Sequence, residues 1–292
     1  MKQAVLLLAH GAPERVEDVE QYLSFVRGGR PPNPAITEEV RHRYQAIGGA
    51  SPLLRWTRAQ AEALERRMGI PVFFGMRNWD PFIRETMDRV RDSGAERIAA
   101  VCLAPQFSEL SVGLYLRRTE EAKQAAGVQA EIVWARSYHD EPLLIEAFAE
   151  RLRPVMAAAG RLLLTAHSLP EKALAAGDPY DCETRATAAA VAAAVGASDY
   201  EFAYQSQGMT DDRWLGPTVE SKLDAFAAAG VREVVLDPIG FVCDHVEILY
   251  DIDIQFREYA RARGIALTRP ESLNDSATFT AALERVAERC LG

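Results

Sequence analysis

Short apolar runs alternate along this chain with longer segments whose apolar positions recur every three or four residues. That alternation is the mark of βα units and a parallel sheet. Strands are predicted at Ala4–Leu8, Pro71–Gly75, Arg97–Leu103 and Glu131–Ala135. A second set follows at Arg161–Thr165, Tyr200–Tyr204, Glu233–Leu236 and Ile265–Leu267, with helical patterns such as Pro52–Arg67, Asp80–Ser93 and Pro142–Ala158 between strands.

The two sets look alike. Val5-Leu6-Leu7-Leu8-Ala9-His10-Gly11-Ala12-Pro13 echoes Leu162-Leu163-Leu164-Thr165-Ala166-His167-Ser168-Leu169-Pro170. Likewise Leu103-Ala104-Pro105-Gln106-Phe107 echoes Asp237-Pro238-Ile239-Gly240-Phe241. A repeat at half the chain length predicts two similar Rossmann-like lobes, each a parallel sheet flanked by helices, facing one cleft. The first lobe is expected over residues 1–157 and the second over 158–269, with the boundary around 157–160 and a last helix within 270–292 packing back on the first lobe.

In such a fold ligands collect beyond the carboxyl ends of the strands. His167 stands there in the second set and His10 at the matching place in the first. Of the other histidines, His42 and His139 lie in polar surroundings expected to be exposed, and His245 adjoins an acid row. If Asp244 to Gln255 is helical, Asp244, Glu247 and Asp251 share one face at i, i+3, i+7. Val246, Ile248, Leu249, Tyr250, Ile252 and Ile254 leave little of that helix for solvent, so its carboxylates must be paired, protonated or metal-bound. Arginines at Arg27, Arg30, Arg41 and Arg43 beside glycine turns form a basic rim suited to carboxylates or phosphates. Phe107, Tyr115, Trp214, Phe241 and Tyr250 fall near predicted strand ends, where a large flat ligand would find apolar walls.

Composition narrows the choice. The 292 residues carry 33 basic and 42 acidic side chains, a net charge of −9, which argues against nucleic-acid binding. The four cysteines are ungrouped, so reduced thiols and no iron–sulfur cluster are expected. No stretch approaches the length of a membrane span and the amino terminus lacks a signal-peptide core. The cytoplasm is the expected location.

Five segments together resemble the ferrochelatases. They are Arg43-Tyr44 with Ile47-Gly48-Gly49-Ala50-Ser51-Pro52-Leu53, Leu103 to Ser108, Thr165 to Pro170, Tyr204 to Gly208 with Trp214-Leu215-Gly216-Pro217, and Gly240 to Glu247. The resemblance covers essentially the whole chain. It implies insertion of ferrous iron into a porphyrin held between the lobes, with His167 and Glu247 as the catalytic and metal-site pair. It also implies that Arg27, Arg43, Tyr44, Ser51 and Tyr115 contact the porphyrin, that His10 faces the opposite side of the ring, and that Asp251 and Asp244 support the pair from behind. The short Arg27-Gly28-Gly29-Arg30 segment and the lack of a carboxy-terminal extension resemble the coproporphyrin III branch of Gram-positive bacteria, whose coproheme product a decarboxylase consumes. Iron is then substrate, no further cofactor is expected, and a monomer is the expected state. A protoporphyrin IX ferrochelatase and a non-catalytic haem or coproheme carrier are the alternatives; a cobalt or nickel chelatase shares the architecture but uses paired histidines. The chain departs from close relatives in having His10 for tyrosine, Asn78 and Gln255 in the outer metal ladder, and Met209 to Arg213 for a more proline-rich loop.

Overall fold

A computed structural model describes residues 1–156, 160–208 and 212–292. The expected lobe boundary at 157–160 and the departing loop at 209–213 therefore fall partly outside the described residues.

Each half builds one four-stranded, all-parallel sheet. The first holds β1 (Gln3–Ala9), β2 (Val72–Met76), β3 (Arg97–Cys102) and β4 (Glu131–Ala135) in the order β2-β1-β3-β4. The second holds β5 (Arg161–His167), β6 (Tyr200–Gln205), β7 (Glu233–Asp237) and β8 (Ala266–Thr268) in the order β6-β5-β7-β8. The two orders are the same, which is the topological form of the repeat in the sequence. The central strands were legible as apolar runs because helices cover both faces of a parallel sheet and leave few polar positions, whereas the edge strands β4 and β8 are only partly covered. Ala4 to Leu8 are fully buried, and each leucine contributes roughly 1.5–3 kcal/mol relative to exposure.

The helix Ala277–Leu291 packs against β3, β4, Leu53–Met68 and Pro142–Met156. Its Ser276 side chain caps it by accepting from Phe279 N–H. One acid row expected to be a single helix is not. Helix starts only at Val246, with His245 as its N-cap, and the chain widens into a π-helical stretch over Asp251–Phe256.

Hydrogen bonds fasten the lobes to each other beside the cleft. Gln106 Nε2 donates to Thr187 Oγ1 at 3.1 Å and Phe107 N–H to Glu183 Oε2 at 2.6 Å. Asp178 accepts from Ser108 Oγ and Glu109 N–H on one oxygen, both at 2.8 Å, and from Tyr180 N–H on the other. His139 joins this seam, half-buried rather than exposed, because Ser137 Oγ lies 2.8 Å from its Nδ1. These bonds, most of them to carboxylates, hold the spacing of the two walls.

Candidate active site between the lobes

The carboxyl ends of both sheets open on one cavity of about 310 Å³. His10, directly after β1, and His167, the last residue of β5, line it from opposite lobes. Glu247, on the first turn after the His245 cap, lines it as well, with His167 Nε2 3.5 Å from its Oε1. Close packing fixes that approach: a Cβ on Gly240 would sit 3.0 Å from Ala166 Cα, so the loop carrying Phe241 to Glu247 lies against the end of β5.

Hydrogen bonds set the tautomer of each imidazole. His167 Nδ1 lies 2.5 Å from the Ser168 carbonyl, which can only accept, so Nδ1 carries a proton in either charge state and Nε2, facing Glu247, is the nitrogen that gains or loses one. His10 follows the same logic, with Nδ1 3.1 Å from the Gly11 carbonyl and Nε2 receiving the Asn78 amide at 3.1 Å. His245 is the reverse: its Nδ1 accepts from Glu247 N–H.

The two walls are electrically unlike. On the first lobe, burial and the neighbouring Arg77 push His10 down to about 4, so it is neutral at neutral pH. On the second, burial pulls His167 down, but the Glu247 carboxylate and the Ser168 carbonyl outweigh it and hold its pKa above the ordinary 6.5. Burial likewise pushes Glu247 up, and His167 more than offsets it, leaving Glu247 at about 2. Both side chains keep about a third of their surface open, 30% and 35%, so burial counts for less here than in sealed packing. Asp251 behind them is raised to about 6 by burial and by Glu247. Ser206 Oγ donates to Asp251 at 2.5 Å, and Arg43 reaches its other oxygen at 3.4 Å while pairing with Glu39 at 2.9 Å. Carboxylates thus run from the cavity wall at Glu247 through Asp251 to the half-exposed Arg43–Glu39 pair.

Tyr44, Ser51 and Tyr115 line the cavity, and the buried Tyr44 hydroxyl has no hydrogen-bond partner among the described residues. Arg27 is exposed at the end of helix Val19–Val26, outside the lining of the cavity. Two expectations need correction. Asp244 faces away from the pair: preceding the helix, it escapes the i, i+3 spacing and binds Ser272 Oγ at 2.8 Å, Asn274 Nδ2 at 3.0 Å and Arg269 at 3.3 Å. Of the expected aromatic walls, Tyr115 and Phe241 line the cavity, whereas Phe107, Trp214 and Tyr250 do not. Tyr250 instead packs beneath the Arg43 guanidinium.

The lining also holds residues to which sequence reasoning gave no role, Tyr22, Arg77, Gln106 and Tyr180, and His245, which it placed only beside the acid row. Arg77 was findable, since it directly follows β2 and strand ends form this site. Tyr22 and Tyr180 had no such signal; they arrive on helices whose placement is tertiary. Among the described residues, no three His, Cys, Asp or Glu side chains group tightly enough to hold a metal ion.

Fold and site together define a two-lobed chelatase. The fold is shared with SirB from Bacillus subtilis (TM-score 0.65, 11% identity, 99% of this chain and 96% of that one). CbiX, an enzyme of sirohaem biosynthesis in denitrifying bacteria, also matches (TM-score 0.53, 15% identity, 99% and 100%). The ferrochelatase family model matches residues 2–291. A ferrochelatase of Acidobacterium capsulatum is 45% identical over 98% of this chain and 94% of its own length. A coproporphyrin III ferrochelatase of Bacillus subtilis is 34% identical over 100% and 98%. The chain belongs to the ferrochelatase family. No helix among the described residues is long and apolar enough to cross a membrane.

Proposed function

We propose that this protein inserts Fe²⁺ into coproporphyrin III, giving coproheme and two protons, and that a decarboxylase consumes the product. The observation that carries the reading is the His167–Glu247 pair, 3.5 Å apart on a cavity wall that faces His10 across the interlobe slot. An imidazole lone pair and a carboxylate are oxygen–nitrogen ligands suited to ferrous iron. Two protein ligands also leave room for the four pyrrole nitrogens that must replace the metal's other partners. As the pyrroles bind the iron, their two N–H protons must leave. His167, whose proton affinity the neighbouring Glu247 carboxylate raises, takes one as general base. Glu247 passes the other toward Asp251 and the Arg43–Glu39 surface. Gram-positive relatives at 34–35% identity bear the coproporphyrin name, which supports the substrate assignment.

A second reading, protoporphyrin IX as substrate, is favoured by one observation. Arg27 is outside the cavity lining and Arg43 is committed to Glu39 and Asp251, so the rim offers four propionates fewer free cations than the sequence implied. The test mixes anaerobic Fe²⁺ with each porphyrin in turn and follows the porphyrin absorbance. Faster turnover of coproporphyrin III upholds the reading, and faster turnover of protoporphyrin IX replaces it with the second. Binding that halts at one equivalent with neither porphyrin converted makes the protein a carrier.

A further inference from the structure

We propose that Arg77 is a specificity residue, binding a carboxylate of the tetrapyrrole substrate on the His10 side of the slot. The inference rests on the reading above and deepens it. Arg77 is the one Arg or Lys among the residues lining the cavity. It sits immediately after β2, at the carboxyl edge of the first sheet, and is half-buried. Among the described residues no Asp or Glu lies within ion-pair distance of it, although an arginine shielded from water ordinarily has an anionic partner. The nearest carboxylate of the cavity wall, Glu247, is taken by His167.

What Arg77 does touch holds its head in place and leaves its charge uncompensated. The guanidinium lies over Tyr115 with its central carbon 4.8 Å from the ring centroid, and Nη1 lies 3.4 Å from the Ser111 carbonyl. A guanidinium carries five N–H donors, and a carbonyl occupies at most one or two of them. The ring contact plus one carbonyl contact presents the remaining fork without allowing it to swing, which suits bidentate recognition of a planar carboxylate. The place over the Tyr115 ring matters twice, since Tyr115 itself lines the cavity and its ring orders the cation before the ligand arrives. A metal cation is repelled from this wall and attracted to the carboxylate wall opposite. A propionate on the substrate is the one anion the proposed reaction brings into reach.

The test compares Arg77→Met and Arg77→Lys with the wild type by fluorescence titration of the metal-free protein. Two porphyrins serve as probes in the same detergent solution: coproporphyrin III, and etioporphyrin, which has alkyl groups only. Arg77→Met is expected to weaken coproporphyrin binding roughly 10- to 100-fold, the span of a lost hydrogen bond to a charged group. Etioporphyrin binding stays unchanged, Arg77→Lys recovers part of the loss, and the KM for metal does not move. An equal loss for both porphyrins would mean that Arg77 only props Tyr115, and no loss for either would mean that it contacts no substrate carboxylate; both outcomes overturn the proposal. The wild type separates this failure from that of the proposed function. If it binds coproporphyrin with the Arg77 dependence yet never turns over, the reaction assignment falls and the carboxylate site stands.

Discussion

Glu247→Gln removes one negative charge while keeping the shape of the side chain, and His167 should report the loss directly. In the folded protein four influences act on His167: burial lowers its pKa, the Glu247 carboxylate raises it, and the Ser168 carbonyl and Asp251 raise it further. At 3.5 Å the charge interaction amounts to about 5 kcal/mol at an effective dielectric of 20 and about 1 kcal/mol in bulk water. With 30% and 35% of the two side chains open, the interaction lies between those limits. Without it, burial is opposed only by the Ser168 carbonyl and Asp251, and the variant's His167 should titrate lower than in the wild type. The measurement is an NMR titration of the imidazole carbon-bound protons in metal-free protein, with His167 assigned from a His167→Gln spectrum. Stability gives a second readout. A raised folded pKa of His167 contributes stability below its unfolded value near 6.5 and loses it as pH rises through the folded value. The depressed Glu247 contributes above 4.5 and loses it as pH falls toward 2. Both conditions overlap at about pH 4.5–6.5, so the variant should be most destabilised there, and the difference should shrink as pH rises through the folded pKa of His167. A His167 midpoint that stays put, or moves up, refutes the charge coupling on which the proton chemistry rests.

Two further predictions concern the scaffold. Gly11→Ala should destabilise by about 1–3 kcal/mol or more in urea unfolding, because φ is +85° and the new Cβ would lie 2.7 Å from Trp79 N; an unchanged midpoint would show that the turn after His10 relaxes freely. Asp237→Asn should stabilise at pH 8 by about 2–4 kcal/mol and have no effect below pH 4. Burial pushes Asp237 up to about 7, so wild-type stability is complete below 3.8 and falls as pH rises to 7; a gain that persists in acid would assign the effect to packing instead.

By itself the sequence determined the eight strands, the repeat of their order and the residues at strand ends. Burial on both faces makes parallel strands read as uninterrupted apolar runs, and the strand-end rule then singles out His10 and His167 without further knowledge. Glu247 was legible too, as a charge in apolar company. What stayed hidden depended on direction. Asp244 and Glu247 are three residues apart, but the helix begins between them, and only the His245 cap reveals that one faces the cavity and the other Arg269. Arg27 and Arg43 read alike as rim arginines, yet one points to solvent while the other is tied to Asp251 from the opposite lobe. Those distinctions belong to tertiary structure because they rest on contacts between residues some two hundred positions apart, such as Arg43 with Asp251, and no local pattern encodes which partner a long side chain will meet.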